Sequence, residues 1–423
     1  MTPYQGLNLG PTLRNQETHM SVQTKFSRLG TDNAPGQAVR QQMTDMADML
    51  RGETLPGRPV DFSHGDVDVF PPPSRSFEVF AEGVAIGGQQ AYAEYRGDIG
   101  IREQVATRLA SFTGAPVDAR DGMILTNGTQ GALFLAVAST VARGDKVAIV
   151  QPDYFANRKL IEFFEGEILP IRMDYAAAQG RAGLNLDQLA DAFKAGARMF
   201  LFSNPNNPAG VIYSAEEIAS IATLASKYGA AVIVDQLYSR QIYSGISYTH
   251  LRTISADAEN IITIMGPSKT ESLSGYRLGV GVGSRMIVAR MEKLQAIVSL
   301  RAGGYSQAVL RTWFNEPDGW LAQRIEHHQA IRDDLLKILR SAAGFSARTP
   351  EAGSYLFPGL PKLVVPYADF GRILRMQAGV TVTPGTEFSP TSASSLRLNF
   401  SQNHAAAVQA VTRLVTLVDR YRA

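Results

Sequence analysis

Five short segments carry side chains that could do chemistry together. In Gly266-Pro267-Ser268-Lys269-Thr270-Glu271-Ser272-Leu273-Ser274-Gly275-Tyr276-Arg277, Lys269 follows an apolar run and sits among small residues. A lysine is ordinarily solvated, and that is the plain reading. Taken out of water its pKa falls, and a neutral amine can form a Schiff base with an aldehyde. Arg277, eight residues on, is a guanidinium that could clamp a phosphate with two parallel hydrogen bonds. In Val232-Ile233-Val234-Asp235-Gln236-Leu237-Tyr238, a carboxylate ends an apolar run, which is costly unless a cation faces it. Tyr238 could add a phenolic donor there, while a helix cap or a structural ion pair is the alternative. Thr126-Asn127-Gly128-Thr129-Gln130 reads as a strand-to-helix turn whose free N–H groups suit an anion, or as a simple capped turn. Asn204-Pro205-Asn206-Asn207-Pro208-Ala209-Gly210 would hold an Asn amide at a strand end, though Asn, Pro and Gly also dominate ordinary turns. Arg397, in Ser395-Leu396-Arg397-Leu398-Asn399-Phe400, is either an exposed edge-strand charge or a fork for a carboxylate.

Such residues need strand ends to hold them. Short apolar runs at 123–125, 146–150, 198–202, 231–234, 260–265 and 278–283 read as buried strands. Between them, 129–142 and 215–227 show apolar i, i+3, i+4 spacing, the second opening on a Ser214/Glu217 capping box. This alternation predicts an α/β fold whose mainly parallel sheet is flanked by helices, with ligands gathered at the carboxyl ends of the strands. After residue 300 a charged helix at 319–340, weak strands near Tyr355, Val380 and Leu396, and a helix at 404–421 predict a smaller α+β domain. The three prolines at 71–73 favour an extended link. The expected division is an N-terminal arm at 1–20, a small domain from 21–70 and 326–423, and a large domain at 71–325. A helix is expected at about 36–50. No internal repeat is present.

The chain has 423 residues, 45% hydrophobic and 19% charged, enough for a sizeable core. A formal charge of +2 advertises neither a nucleic-acid nor a membrane partner. With zero cysteines, disulfides, thiolate metal sites and cysteine nucleophiles are excluded. The six histidines lack zinc-ligand spacing, so no metal site is expected, and His327 and His328 read as surface residues. The first residues lack a basic-then-apolar pattern, and a cytoplasmic location is expected.

Taken in order, these five segments resemble the fold type I pyridoxal-phosphate aminotransferases of class I/II, from about Phe62 onward. The resemblance implies that Lys269 carries pyridoxal 5'-phosphate as a Schiff base and moves the substrate's α-proton. It implies that Asp235 pairs with the pyridine nitrogen, and that Asn207 and Tyr238 bond the ring's 3-oxygen. Tyr154 would stack on the ring. Gly128, Thr129, Gln130, Ser268 and Arg277 would hold the phosphate, completed by Tyr92, or its rival Tyr95, from a second subunit of a homodimer. Arg397 would take the substrate carboxylate, helped by backbone near Gly65. The implied reaction moves an amino group between an L-amino acid and a 2-keto acid.

Gly266, Pro267, Ala209 and Gln236 depart from common choices in that family, and Gly266 removes a hydroxyl from the phosphate cup. A β- or γ-elimination lyase on the same scaffold would use the same residues. Gly279-Val280-Gly281-Val282-Gly283 lacks the spacing of a dinucleotide fingerprint and reads as a strand. Arg301 lies where relatives approach the partner's pocket. That implies an acidic substrate side chain, against the plainer reading of a solvated helix-end arginine.

Overall fold

The computed structural model describes residues 21–31, 46–176, 183–255 and 259–423. Eight strands form one sheet: β1 (Met123–Asn127), β2 (Lys146–Gln151), β3 (Glu167–Asp174), β4 (Gly183–Leu184), β5 (Ala197–Ser203), β6 (Ala231–Asp235), β7 (Ile261–Met265) and β8 (Leu278–Gly283). Their order is β1-β8-β7-β6-β5-β2-β3-β4. The central run β7-β6-β5-β2-β3 is parallel. Antiparallel β8 separates β7 from β1, and β4 folds back on β3. The sheet is thus mixed around a parallel centre.

Alternation explains why its strands read as continuous apolar runs. Val147, Ile149, Leu201 and Ile233 face one core with the Gly128–Thr140 helix. Ala148, Val150, Phe200, Phe202, Val232 and Val234 face the other with the Ala215–Tyr228 helix. Both faces are covered, so no polar register is left to see. The Ser214/Glu217 box is formed, with Ser214 N–H donating to Glu217 Oε2 at 2.7 Å. Strand β3 escaped the sequence reading because Pro170 sits inside it. Its outer side pairs only at Met173 and Asp174, and a proline without a ladder donor is tolerated on such an edge.

A separate core brings residues 60–70 together with the C-terminal part of the chain. Phe62, Leu335, Leu339, Phe370, Leu374, Leu398, Phe400, Val411 and Leu414 pack together with Tyr243 from beyond β6. Tyr355–Leu356, Thr383–Pro384 and Leu396–Asn399 form a small antiparallel sheet, while Val380–Thr381 pairs in parallel with Val60–Asp61. The expected helices at 319–340 and 404–421 are Trp320–Ser341 and His404–Arg420. The boundary expected at 325/326 falls inside the first of these, a continuous helix.

Residues 1–20, the expected arm, and most of the helix expected at 36–50 lie outside the described residues; Ala47–Met49 is a single 3-10 turn. The helix Val22–Leu29, assigned by sequence to the small domain, packs instead on Phe155–Phe163 of the large one. Phe26 meets Phe163 edge-on at 6.3 Å, and Lys159 Nζ donates to the carbonyl of Gly30 at 2.5 Å. Among the described residues no helix is long and apolar enough to cross a membrane.

Candidate active site

The carboxyl ends of the parallel strands open into a cavity of about 290 Å³, bounded on its far side by the small sheet. Ten of the sequence-selected residues line it: Thr129, Gln130, Tyr154, Asn207, Asp235, Tyr238, Ser268, Lys269, Arg277 and Arg397. Gly128 adjoins the wall through Arg277. Gly65 lies on a neighbouring cleft, which meets the cavity at His64, Ser268, Lys269 and Ser274. Tyr92 is not brought in. It is 80% exposed on the outer surface, where the Arg301 guanidinium lies 5.6 Å from its ring and 5.6 Å from that of Tyr95. Arg301 is therefore half-buried between two phenol rings rather than solvated at a helix end.

Lys269 stands in the loop after β7. Its side chain is open to the cavity rather than desolvated as expected, and no hydrogen bond or ion pair to its amine occurs among the described residues. The loop beneath it is pinned at several points. Arg324 Nη1 donates to the Thr270 carbonyl and to Ser272 Oγ, each at 2.8 Å, and Leu273 N–H reaches the Pro267 carbonyl at 3.1 Å. Glu271, 1% exposed, receives Arg240, which also grips Glu316 at 2.8 and 3.0 Å. Burial raises the Glu271 carboxyl to about 7 despite Arg240. Ser272 and Arg277 have φ of 56°, a left-handed conformation costing on the order of 1–3 kcal/mol each, and it persists only where surroundings over-determine it.

The anion cup is built from backbone. Gly128 opens the Gly128–Thr140 helix at φ 72°, and its N–H donates to the Arg277 carbonyl at 2.9 Å. A Cβ on Gly128 would lie 2.3 Å from Arg277 Nη2, so only glycine lets that guanidinium approach the helix start. Gly266 has a similar reason. A Cβ there would come within 2.8 Å of Thr129 Cγ2, so the hydroxyl residue common in relatives would crowd Thr129 in this chain. Ser268 Oγ donates to the Leu278 carbonyl at 3.4 Å.

Asp235 ends β6, opposite Ser203 of β5, and accepts from Leu237 N–H at 3.0 Å. Burial raises its pKa to about 6, so the wall holds a carboxylate that gains from a cationic ring nitrogen beside it. Arg397 is 2% exposed and has no carboxylate partner among the described residues. Its Nη1 donates to Asn207 Oδ1 at 3.0 Å and its Nη2 to the Ser63 carbonyl at 2.9 Å, while Nε is buried without a partner. The rings of Tyr355 and Phe388 lie 4.2 and 4.8 Å from the guanidinium. A buried cation satisfied only by neutral groups is a site for an anion.

Several groups were not singled out from sequence. Tyr355 lines the cavity and receives a hydrogen bond from the Tyr238 hydroxyl. Asp153, 2% exposed, accepts from Tyr154 N–H at 2.6 Å, from Ser203 N–H at 2.9 Å and from the Ser203 hydroxyl; Ser203 Oγ in turn accepts from Asn207 N–H at 3.2 Å. Asp153 thus sets Tyr154 and Asn207 together, and burial raises its pKa to about 8. Its position two residues after β2 was the only local signal. His328, read as a surface residue, is 3% exposed. It packs against Phe70 at a tilt of 33° with ring centroids 4.1 Å apart and bonds Ser401 Oγ at 3.0 Å, and burial lowers its pKa to about 4.

A mixed sheet with a lysine, a strand-end aspartate and two guanidinia that meet no carboxylate among the described residues at its carboxyl edge defines a fold type I aminotransferase site. The chain belongs to the family Aminotransferase class I and II, whose model matches residues 60–414. A crystal structure of an aspartate aminotransferase from Rhodobacter sphaeroides 2.4.1 is 68% identical, with a TM-score of 0.91 over 95% of this chain and all of that one. The aspartate aminotransferase of Sulfolobus acidocaldarius is 25% identical over 79% of this chain and 84% of that protein. The asparagine–oxo-acid transaminase of Streptococcus mutans is 24% identical over 90% and 97%. An aspartate aminotransferase structure from Thermus thermophilus, 21% identical with a TM-score of 0.79, shares the fold. The chain is an aminotransferase that moves an amino group between an amino acid and a 2-keto acid, and its family implies pyridoxal phosphate. Nothing in these relatives supports the lyase alternative.

Proposed function

We propose that the cavity holds pyridoxal 5'-phosphate on Lys269 and that the amino donor is an acidic L-amino acid, aspartate first. One observation carries this reading: an amine without a partner among the described residues opens into a cavity between a half-buried strand-end carboxylate and a buried guanidinium that no described carboxylate meets. The residues fit the cofactor group by group. Asp235 would face the ring nitrogen, Asn207 and Tyr238 the ring oxygen, and Tyr154 the ring face. Thr129, Gln130, Ser268 and Arg277, with the Gly128 turn, would hold the phosphate. When bound, the cofactor supplies the electron sink that makes the α-proton of an amino acid removable. Lys269 moves that proton, and Arg397 fixes the carboxylate so that the proton faces Lys269. Backbone near Gly65 would close the carboxylate side from the adjoining cleft.

The choice of aspartate rests on the Rhodobacter sphaeroides relative at 68% identity. Arg301, held between Tyr92 and Tyr95, is the residue we assign to the acidic side chain, acting in the site of a second copy. A homodimer is supported by exposed apolar side chains on elements around it: Phe77 at 70%, Tyr92 at 80%, Ile297 at 81%, Val298 at 56% and Leu300 at 54%. Tyr92 would then complete the second copy's phosphate cup. The cytoplasm is the proposed location.

The test is a visible spectrum of the purified protein beside Lys269→Ala, followed by turnover with a panel of amino donors. The expected results are a cofactor band that Lys269→Ala loses, and faster turnover of aspartate than of neutral donors, a preference reduced by Arg301→Ala. No band in the wild type would overturn the cofactor reading, and equal turnover of acidic and neutral donors would overturn the substrate reading.

A further inference from the structure

Tyr355 belongs to the small sheet, yet its side chain closes the cavity from above. It pairs with Asn399 in antiparallel register, and Arg397, two residues along that strand, projects from the same face. The ring of Tyr355 lies under the Arg397 guanidinium at 4.2 Å and meets the ring of Tyr238 at 5.3 Å and 76°. The Tyr238 hydroxyl donates to the Tyr355 hydroxyl. The proton of Tyr355 has no protein acceptor among the described residues, and the residue lines the cavity. Both phenols are buried, at 3% and 4% exposure.

This geometry bears on what Tyr238 can do. A phenol has one proton, so while Tyr238 donates to Tyr355 it cannot donate fully to an oxygen of a ligand. We propose that Tyr355 is a positioning residue that takes the proton of Tyr238 and thereby sets how strongly Tyr238 donates to the ring oxygen of the cofactor. The proposal rests on the pyridoxal-phosphate reading above.

The charged groups around Tyr355 favour this direction of donation. Burial pushes the Tyr355 phenol up, but Arg397, Lys269 and the hydrogen bond from Tyr238 outweigh it and hold it below the ordinary tyrosine value, with Asp235 opposing weakly. Burial and the neighbouring Tyr355 push Tyr238 well above that value. Tyr355 is therefore the phenol of the pair that ionises first, and its phenolate oxygen accepts the Tyr238 hydrogen bond.

The experiment compares the wild type with Tyr355→Phe, Tyr238→Phe and the double variant, reading the pH midpoint of the cofactor's visible absorption. Removing the Tyr355 hydroxyl frees the Tyr238 proton for the anionic ring oxygen. Stronger donation to an anion lowers the pKa linked to it. Tyr355→Phe should therefore move the midpoint down by about half to one pH unit. Tyr238→Phe should move it up, and the double variant should match Tyr238→Phe because Tyr355 acts through Tyr238.

A midpoint left in place by Tyr355→Phe while Tyr238→Phe shifts it would overturn the proposal, as would a separate Tyr355 effect in the double variant. The tyrosinate absorption of the cofactor-free protein reads the pair independently. One phenol should ionise ahead of the rest and vanish in Tyr355→Phe, and its persistence there would also refute the pairing. A wild type without a cofactor band sinks the cofactor reading instead, and the tyrosinate titration still decides the pair.

Discussion

Replacing Gly279 by alanine tests whether the anion cup depends on contact between β8 and the helix start. A Cβ on Gly279 would lie 2.3 Å from the Gly128 carbonyl carbon, 2.4 Å from the Thr129 nitrogen and 2.5 Å from the Gly128 oxygen. Ordinary contact begins at 3.4 Å, so strand and helix must separate by about 3.4 − 2.3 = 1.1 Å. All three atoms are backbone, and no rotamer relieves the clash. Strand β8 is laddered to both β1 and β7, which leaves the helix start to move. Overpacking of this kind costs about 1–3 kcal/mol. Moving the N–H groups of residues 129 and 130 away from a phosphate weakens a charge-assisted hydrogen bond worth about 1.5–3 kcal/mol, or about ten- to hundredfold in affinity.

Thermal unfolding of the cofactor-free protein gives the first quantity, and titration with pyridoxal phosphate gives the second. Titration with phosphate-free pyridoxal is the control and should change little. Gly281→Ala in the same strand is the companion variant: its Cβ would meet the flexible Met291 Cε at 3.0 Å and should be mild. A Gly279→Ala protein with unchanged unfolding temperature and cofactor affinity would refute the reasoning. Equal weakening of pyridoxal and pyridoxal phosphate would place the phosphate elsewhere.

Arg240→Met should leave Glu271 and Glu316 buried without their shared cation, a loss of about 3–5 kcal/mol. The Glu271 pKa is raised, so its carboxyl is tolerated when protonated and resisted when ionised; the loss should be larger at pH 8 than at pH 5, and the opposite trend in denaturant unfolding would count against the cluster. Asp235 has a folded pKa raised to about 6, so its contribution is fully present below the ordinary value of 3.8 and is lost as pH rises through about 6. Cofactor-free wild type should therefore lose stability across that window and Asp235→Asn should not; parallel pH profiles of the two would show that Asp235 is not desolvated.

The sequence by itself determined the family, the fold class and most of the elements that carry the candidate site. Lys269, Asp235, Asn207, Arg277 and Arg397 are legible because each stands beside an apolar run or a turn whose geometry is local, and strand ends of a parallel sheet converge wherever the crossovers lead. Strand β3 was hidden by Pro170, whose tolerance depends on an outer side that only the sheet order reveals. The tertiary structure alone decided which groups are buried together. His328, Asp153 and Tyr355 are polar residues with no local mark of burial, and each is defined by partners far away in the chain: Ser401, Ser203 and Tyr238. Glu271 beside Lys269 looks like a solvated charge until Arg240 and Glu316 are folded against it. Periodicity and turn chemistry report on neighbours within a few residues, whereas desolvation and pairing are set by neighbours brought from across the fold.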